Sequence, residues 1–351
     1  MNRVSVQSFL RNWGWLAGLI VVKLVLQLLA AGQYGFHRDE FLYLVQGHHP
    51  AWGYMEVPPM IAWLAAFIQF FGEGIVWIKL FPALAGSVSL ILIALMTRDL
   101  GGARWAQIVA CLGFLFVPAY LRTHHLFQPV FLNQLFWLLS IFFLIRIYKT
   151  GDTRYWYMFG VAIGLGILTK YSILFLGIAM LAGILFTRER RWLARPHPYY
   201  AMLLAILIAS PNILWQYFHN VPVLAHMEEL RATQLVHVEP VGFVTSQLLM
   251  LFGASLLWFP GLAAFLGGAS FRPFRALGWT YLVLLALLLL LSGKAYYMLG
   301  IYPPLIAAGA VWWERRAVRL RGVKTALPVI VVVLNLFALP YGLPILPVDT
   351  M

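Results

Sequence analysis

A charged stretch interrupts an otherwise apolar chain at residues 34–60, and its sequence is YGFHRDEFLYLVQGHHPAWGYMEVPPM. The adjacent carboxylates Asp39 and Glu40 follow Arg38, and a third carboxylate, Glu56, precedes a double proline. A carboxylate in a water-poor cleft can take a proton from an acceptor hydroxyl, so these three acids are the candidate catalytic residues. Adjacent helical positions point about 100° apart, so one acid can face a cavity while the other anchors the loop. The alternative is a solvated loop with internal ion pairs.

Histidines in this stretch raise the question of a metal ion. Asp39, Glu56 and His48 are the side chains that could hold a divalent cation. No H-x-x-x-H or H-E-x-x-H pattern occurs, and adjacent histidines serve more often in interfacial hydrogen bonds. The sequence therefore predicts no certain cofactor and leaves open whether a divalent cation binds.

Cations from separate parts of the chain fall at the predicted depth of the acidic stretch. Arg122, Lys170 and Lys294 close or precede apolar segments and, with Arg38, would suit the phosphate of a lipid. Ordinary snorkelling to headgroups is the alternative for any one of them. The candidate substrate contacts beside these cations are Tyr43, Tyr54, His124, His125, Tyr296 and Tyr297.

Composition places these residues in a membrane protein. Of the 351 residues, 62% are hydrophobic and 11% are charged, and the mean hydropathy is +0.83. A soluble surface cannot cover so much apolar material, and runs of about 20 apolar residues predict transmembrane helices. The net charge of +13 lies in short clusters between these runs, which indicates topology and not nucleic-acid binding. The single Cys111 excludes an intramolecular disulfide.

Basic residues orient the predicted spans. We predict an all-α membrane domain over residues 1–351, with outer loops at 32–75 and 217–242, a cytoplasmic N-terminus and an outer C-terminus. In this topology residues 58–72 form an interfacial helix that does not cross. About eleven spans are predicted, at 13–31, 76–97, 104–121, 131–148, 155–169, 171–187, 199–216, 243–268, 276–292, 295–313 and 325–341. All lysines and arginines lie on the inner side except Lys23, Arg38, Lys79, Arg122, Lys170, Arg231 and Lys294.

Several motifs resemble those of membrane glycosyltransferases of the C-type fold, the group that includes protein O-mannosyltransferases and the aminoarabinose transferase of lipid A. The resemblance runs from Arg38 to about residue 347. The motifs, in chain order, are RDE (38–40), GYMEVPPM (53–60), WIKLFPALAGS (77–87), HLFQPVFLNQLFW (125–137), GLGILTKYS (164–172), SPNILWQ (210–216) and KAYYMLGIYPPLIAAGA (294–310).

This resemblance implies transfer of a sugar from a polyprenyl-phosphate sugar to a lipid, glycan or protein acceptor at the outer face, with inversion. It assigns the catalytic aspartate to Asp39, places Glu56 at the same cavity, and gives Lys170 and Lys294 to the donor phosphate. It also implies a bacterial inner membrane protein with membrane lipids as neighbours and no nucleic-acid partner. A transporter or flippase for lipid-linked sugars, or a nonenzymatic accessory protein, remains the alternative function.

The chain departs from this family at a few positions. Val57 stands where some relatives have a lysine, so Arg38, Arg122 or Lys294 would have to replace one phosphate contact. Asn133 stands where an aspartate is expected. Many relatives continue into an outer soluble domain, so either acceptor recognition is minimal here or the sequence is truncated.

Overall fold

The computed structural model describes residues 6–320 and 322–346, and within them every regular element is a helix. The predicted positions of both chain ends, and of Arg3, Arg321 and Asp349, lie outside the described residues. Short 3-10 helices occupy Arg188–Ala194, Leu235–His237, Ala269–Phe274 and Ala295–Ile301. The α-helices are α1 (Val6–Ala30), α2 (Arg38–His48), α3 (Met60–Gln69), α4 (Ile75–Asp99), α5 (Arg104–Leu115), α6 (Pro118–Thr123), α7 (Pro129–Thr150), α8 (Arg154–Ile167), α9 (Ile173–Leu185), α10 (His197–Phe218), α11 (Pro222–Thr233), α12 (Pro240–Met250), α13 (Ser255–Gly267), α14 (Arg275–Leu290), α15 (Tyr302–Ala317), α16 (Val323–Phe337) and α17 (Leu339–Gly342).

The helix lengths support a polytopic membrane protein. Five helical segments in the described residues are long and apolar enough to cross a bilayer, and a bent pair makes a sixth. Several predicted spans coincide with shorter apolar helices such as α5, α9 and α16. The count of eleven spans and the domain boundaries therefore stay predictions. The segment at 58–72, predicted not to cross, forms the ten-residue helix α3.

The predicted span at 243–268 is not one straight helix. The structure breaks it between α12 and α13, which meet at an angle of 111°. Gly253 lies in the break, and a Cβ there would overlap the side chain of Asn335 in α16. Close packing against α16 therefore accompanies a bend that hydropathy alone cannot reveal.

Close helix contacts form the core, and small residues permit them. A Cβ on Gly309 of α15 would overlap the carbonyl of Leu257 in α13, and one on Gly261 would overlap the carbonyl of Leu305. A Cβ on Gly183 of α9 would likewise overlap the α14 backbone. Such contacts let membrane helices approach closely and gain packing without a hydrophobic driving force. The packed pair α9–α14 positions two of the candidate cations, since Lys170 precedes α9 and Lys294 follows α14.

Lys23, the mid-span lysine, is fully buried inside the helix bundle. Its ammonium lies 5.7 Å from the ring centroid of Phe114 and beside His124, and its Nζ has no hydrogen-bond partner among the described residues. Gly86 of α4 makes the room, because a Cβ there would overlap the end of the Lys23 chain and the imidazole of His124. Lys23 is thus a core residue rather than part of the outer cluster.

Candidate active site

A capping box starts α2 at the predicted acidic pair. The imidazole Nδ1 of His37 accepts the N–H of Asp39 at 3.2 Å, and the carboxylate of Glu40 accepts the N–H of His37 at 2.6 Å. Both acids lie in the first helical turn, where the helix dipole favours negative charge. The local sequence therefore fixes where α2 begins and the direction in which each acid points.

Glu40 points into the protein and holds α2 in place. It is fully buried, accepts the N–H of Phe127 at 2.7 Å, and lies 3.8 Å from the ammonium of Lys79 in α4. Lys79 in turn donates to the carbonyl of Gly35 at 3.1 Å and lies 3.3 Å from Nε2 of His125. Glu40 thus ties α2 to α4 and to the start of α7, and it does not line the cavity described next.

Asp39 points the other way, into a cavity of about 940 Å³. Its side chain is 41% exposed, pairs with Arg38 at 3.3 Å and accepts the amide of Gln128 at 3.3 Å. Arg122 and Lys294 lie on the same cavity wall. The remaining lining is mostly apolar and consists largely of Pro118, Ala119, Leu126, Val130, Leu249, Met250, Phe252, Leu299 and Ala338.

A second cation stands behind Lys294. The ammonium of Lys170 lies 5.2 Å and 4.9 Å from the ring centroids of Tyr296 and Tyr297. Burial lowers the pKa of Lys294, and the charge of Lys170 lowers it further, while the charge of Asp39 acts in the opposite direction. Burial also lowers the pKa of Lys170. Lys170 and Lys294 are two cations close to each other with little negative charge nearby. Together they create a site that favours an anion.

Tyr43 connects Asp39 to the other predicted acid. Burial raises the pKa of Tyr43, and the charges of Asp39, Tyr296, Glu56 and Tyr297 raise it further, so all four groups lie near its phenol. The Tyr43 phenol therefore stays neutral. Glu56 is exposed, accepts from Gln46 at 3.5 Å, and does not line the Asp39 cavity.

A smaller cavity of about 460 Å³ adjoins the first. The two cavities share His37, Arg122, Leu126 and Tyr341 in their walls. Arg38 lines only the smaller one. Arg122 is exposed and has no carboxylate within 4 Å among the described residues, so its charge is free for a ligand in either cavity.

Several predicted site residues have other surroundings. His124 is fully buried against the rings of Phe114 and Tyr120 and lines neither cavity. His125 lines the smaller cavity, and burial together with the charge of Lys79 lowers its pKa to about 3, which keeps it neutral. These two histidines are therefore mainly structural.

Tyr54 and His48 also make local contacts. The hydroxyl of Tyr54 donates to the carbonyl of His49 at 2.8 Å and accepts the N–H of Ala51 at 3.0 Å, which closes the loop after α2. His48 lies 3.3 Å from Glu73. In residues 6–320 and 322–346 no three His, Cys, Asp or Glu side chains form a group that could hold a metal ion, so Asp39, Glu56 and His48 do not come together as the sequence suggested.

Two glutamines near the site were missed by sequence reasoning. Gln128 donates to Asp39 from the N-cap position of α7, and Gln234 accepts a short hydrogen bond from Lys294. Gln128 is part of the FQP motif at the start of a span, which is the one local signal that could have found it. Gln234 follows α11, in the segment 217–242 that was predicted to be an outer loop, and nothing in its local sequence distinguishes it.

Comparison with known proteins agrees with the resemblance seen in the motifs. Residues 56–215 match the family model of dolichyl-phosphate-mannose-protein mannosyltransferase, a range that includes Arg122 and Lys170 but neither Asp39 nor Lys294. No curated protein matches the chain by sequence.

Solved structures match over nearly the whole chain. ArnT from Cupriavidus metallidurans in the apo state is 19% identical over 90% of this chain and 62% of its own, with a TM-score of 0.69. The same protein bound to undecaprenyl phosphate gives 19% identity, 89% and 62% coverage, and a TM-score of 0.70. This chain has the C-type glycosyltransferase fold. The archaeal oligosaccharyltransferase AglB from Archaeoglobus fulgidus, in complex with an inhibitory peptide and a dolichol-phosphate, shares that fold at 12% identity, 95% and 57% coverage, and a TM-score of 0.56.

The chain spans about three fifths of the length of these C-type glycosyltransferases, with 62% of ArnT and 57% of AglB covered. At these levels of identity the likeness establishes the fold, so the activity rests on the chemistry of the cavity itself.

Proposed function

We propose that this chain transfers a sugar from a polyprenyl-phosphate sugar to an acceptor hydroxyl in the Asp39 cavity. The observation that carries the proposal is the placement of one carboxylate and two cations, Asp39 with Arg122 and Lys294, on the wall of a cavity whose remaining lining is mostly apolar. Structures of the same fold bound to undecaprenyl phosphate and to a dolichol-phosphate support a lipid phosphate as the donor.

Each charged group has a role in this reaction. The Asp39 carboxylate takes the proton of the acceptor hydroxyl as its oxygen attacks the anomeric carbon of the sugar. The bond from that carbon to the phosphate oxygen breaks, and the polyprenyl phosphate leaves with the electron pair. Arg122 and Lys294 stabilise the growing negative charge on the phosphate, and Lys170 reinforces Lys294 from behind. Gln128 and Arg38 orient the carboxylate through their contacts with it.

The apolar wall provides for the lipid part of the donor. Leu249 and Phe252 line the cavity, and their side chains are 67% and 53% exposed. Both lie at the break between α12 and α13, so the cavity opens toward the surface at that point. A prenyl chain can leave through this opening while its phosphate stays against Lys294, so the donor never has to leave the bilayer.

Donor turnover by purified protein in lipid tests the proposal. We expect Asp39→Asn to abolish release of polyprenyl phosphate while donor binding persists, because the base is lost and the cations remain. Asp152→Asn is the matched control, since that carboxylate lies in the loop before α8 and, in the part of the chain that the structure describes, forms its ion pair with Arg154. Equal turnover in the Asp39→Asn variant and the wild type would overturn the assignment of the base. Binding without turnover in the wild type would instead favour a flippase or an accessory protein.

We further propose that the site faces outward from a bacterial inner membrane, with the N-terminus cytoplasmic and the C-terminus outside. The support is the excess of basic residues at the opposite helix ends. Single cysteines introduced as Glu229→Cys and Arg195→Cys, in a Cys111→Ser background, report the two faces. In intact cells a membrane-impermeant maleimide should label only the first, and labelling only the second would reverse the orientation.

A further inference from the structure

A second charged cleft lies at the opposite ends of α9 and α14 from the candidate active site. Lys170 precedes α9 and Lys294 follows α14, whereas the cleft lies after α9 and before α14. The 16 residues of α14 span about 24 Å, so the two places are on opposite sides of the apolar layer. The cleft has a volume of about 590 Å³ and contains four arginines: Arg188, Arg190, Arg272 and Arg275.

None of these four guanidinium groups has a hydrogen-bond or ion-pair partner in the part of the chain that the structure describes. Arg275 is the deepest, and its buried Nε has no acceptor. The acids at this end of the helices are already in use. Asp99 binds Arg146 and Lys149, Asp152 binds Arg154, Glu189 binds Arg191 and Trp192, and Glu314 accepts the N–H groups of Ala103 and Ala106.

Four positive charges in one cleft, without a counter-charge from the described residues, repel one another, so the cleft favours an anion. Arginine forks match phosphate oxygens and bind them through two parallel hydrogen bonds. The described part of the chain supplies no carboxylate for the purpose. The ligand therefore comes from outside the chain.

The aromatic wall of the cleft indicates that this anion belongs to a lipid. Phe186 and Trp279 pack edge to face at 5.5 Å and line the cleft, with side chains 62% and 39% exposed. They lie at the ends of the apolar helices α9 and α14, where acyl chains run beside a membrane protein and where aromatic rings favour the interface. A soluble phosphate would leave this apolar wall without a contact.

We propose that the arginine cleft binds the headgroup of an anionic phospholipid that carries two phosphates, in the leaflet opposite the candidate active site. Two guanidinium groups then serve each phosphate, and the acyl chains cover Phe186 and Trp279. Basic pockets between membrane helices are known to suit such headgroups. The site is separate from the donor site and does not depend on the proposed sugar transfer.

Lipid titration of delipidated protein tests the proposal, with native mass spectrometry to count bound lipids and thermal unfolding to report stability. The probes are cardiolipin, phosphatidylglycerol and phosphatidylcholine. We expect cardiolipin to bind and to raise the unfolding temperature, and the double variant Arg272→Gln/Arg275→Gln to bind it about 30-fold more weakly. The control Arg195→Gln/Arg319→Gln removes the same charge from exposed arginines outside the cleft and should bind like the wild type.

Three outcomes would overturn the proposal. One is equal weakening in both double variants, which would mean that net charge alone attracts the lipid. Another is equal binding of phosphatidylcholine and cardiolipin. The third is protection by inorganic pyrophosphate that matches protection by cardiolipin, which would assign the cleft to a soluble phosphate. If the cleft double variant unfolds before titration, the milder Arg275→Lys variant takes its place. Its cardiolipin binding should also be weaker than that of the wild type, because lysine cannot form the paired hydrogen bonds.

Discussion

Replacement of Glu40 by glutamine should destabilise the protein strongly, although the two side chains have nearly the same shape. The buried carboxylate accepts two backbone N–H groups, from His37 at 2.6 Å and Phe127 at 2.7 Å, and each bond to a charged acceptor is worth about 1.5–3 kcal/mol. A glutamine oxygen keeps one bond, while its amide group turns a donor toward the other. The buried ammonium of Lys79 also loses its counter-charge, and breaking such a pair costs about 3–5 kcal/mol. Since these costs overlap, we expect a loss of about 4 kcal/mol.

Thermal unfolding in detergent micelles, followed by the loss of the monodisperse species, measures this effect. For a chain of this size the loss corresponds to about 5 °C in unfolding temperature. Glu56→Gln is the matched control, because Glu56 is exposed and accepts a single bond at 3.5 Å, and it should change the unfolding temperature by about 1 °C or less. The double variant Glu40→Gln/Lys79→Met should lose about 1–3 kcal/mol less stability than the two single variants lose in sum. If Glu40→Gln melts like Glu56→Gln, the structural role of Glu40 is wrong.

Three further predictions address pH and packing. The lowered pKa of Lys294 means that its charge is lost earlier than usual as the pH rises, so donor binding by the wild type should already weaken at pH values below 10.5, the ordinary lysine value. Binding by Lys294→Arg should stay level over the same range, as equilibrium binding at each pH would show. The pKa of His125 is about 3 in the folded protein and 6.5 when unfolded, so the unfolded state takes up the proton first; stability should fall by about 2 kcal/mol from pH 6.5 to 5, and unfolding of His125→Gln should lack this component. Gly309→Ala should lower stability by about 3 kcal/mol because its Cβ would overlap the carbonyl of Leu257, whereas Gly267→Ala, which has open space around it, should unfold like the wild type.

Much of the architecture could be predicted from local patterns. Apolar runs located most of the helices to within a few residues. That α3, the short helix after the double proline, does not cross the membrane stays a prediction. The bend between α12 and α13 could not be predicted, because it coincides with the packing of Gly253 against Asn335 far along the chain. Hydropathy reports the preference of a segment for lipid and carries no information about such a contact.

The candidate site, too, could be predicted from the sequence only in part. The RDE motif identified the acidic pair, and the angle between adjacent helical positions predicted that the two acids could have different surroundings. Which acid faces the cavity depends on α4, which supplies Lys79 to Glu40, and on the segment before α7, which supplies the N–H of Phe127. These contacts hold Glu40 inside the protein and leave Asp39 to face the cavity. The burial of His124 and the contact of Gln128 with Asp39 likewise depend on elements distant in sequence.

The sequence by itself determined that this chain is a helical membrane protein, where its ionisable residues lie along the chain, and which motifs it shares with C-type glycosyltransferases. These properties follow from transfer free energies and local helix signals, which act within about 20 residues. Only the tertiary structure decided which charges meet. It joined Asp39, Arg122 and Lys294 in one cavity, and it gathered the arginines from the ends of α9 and α14 into one cleft, because side chains far apart in sequence become neighbours only through helix packing.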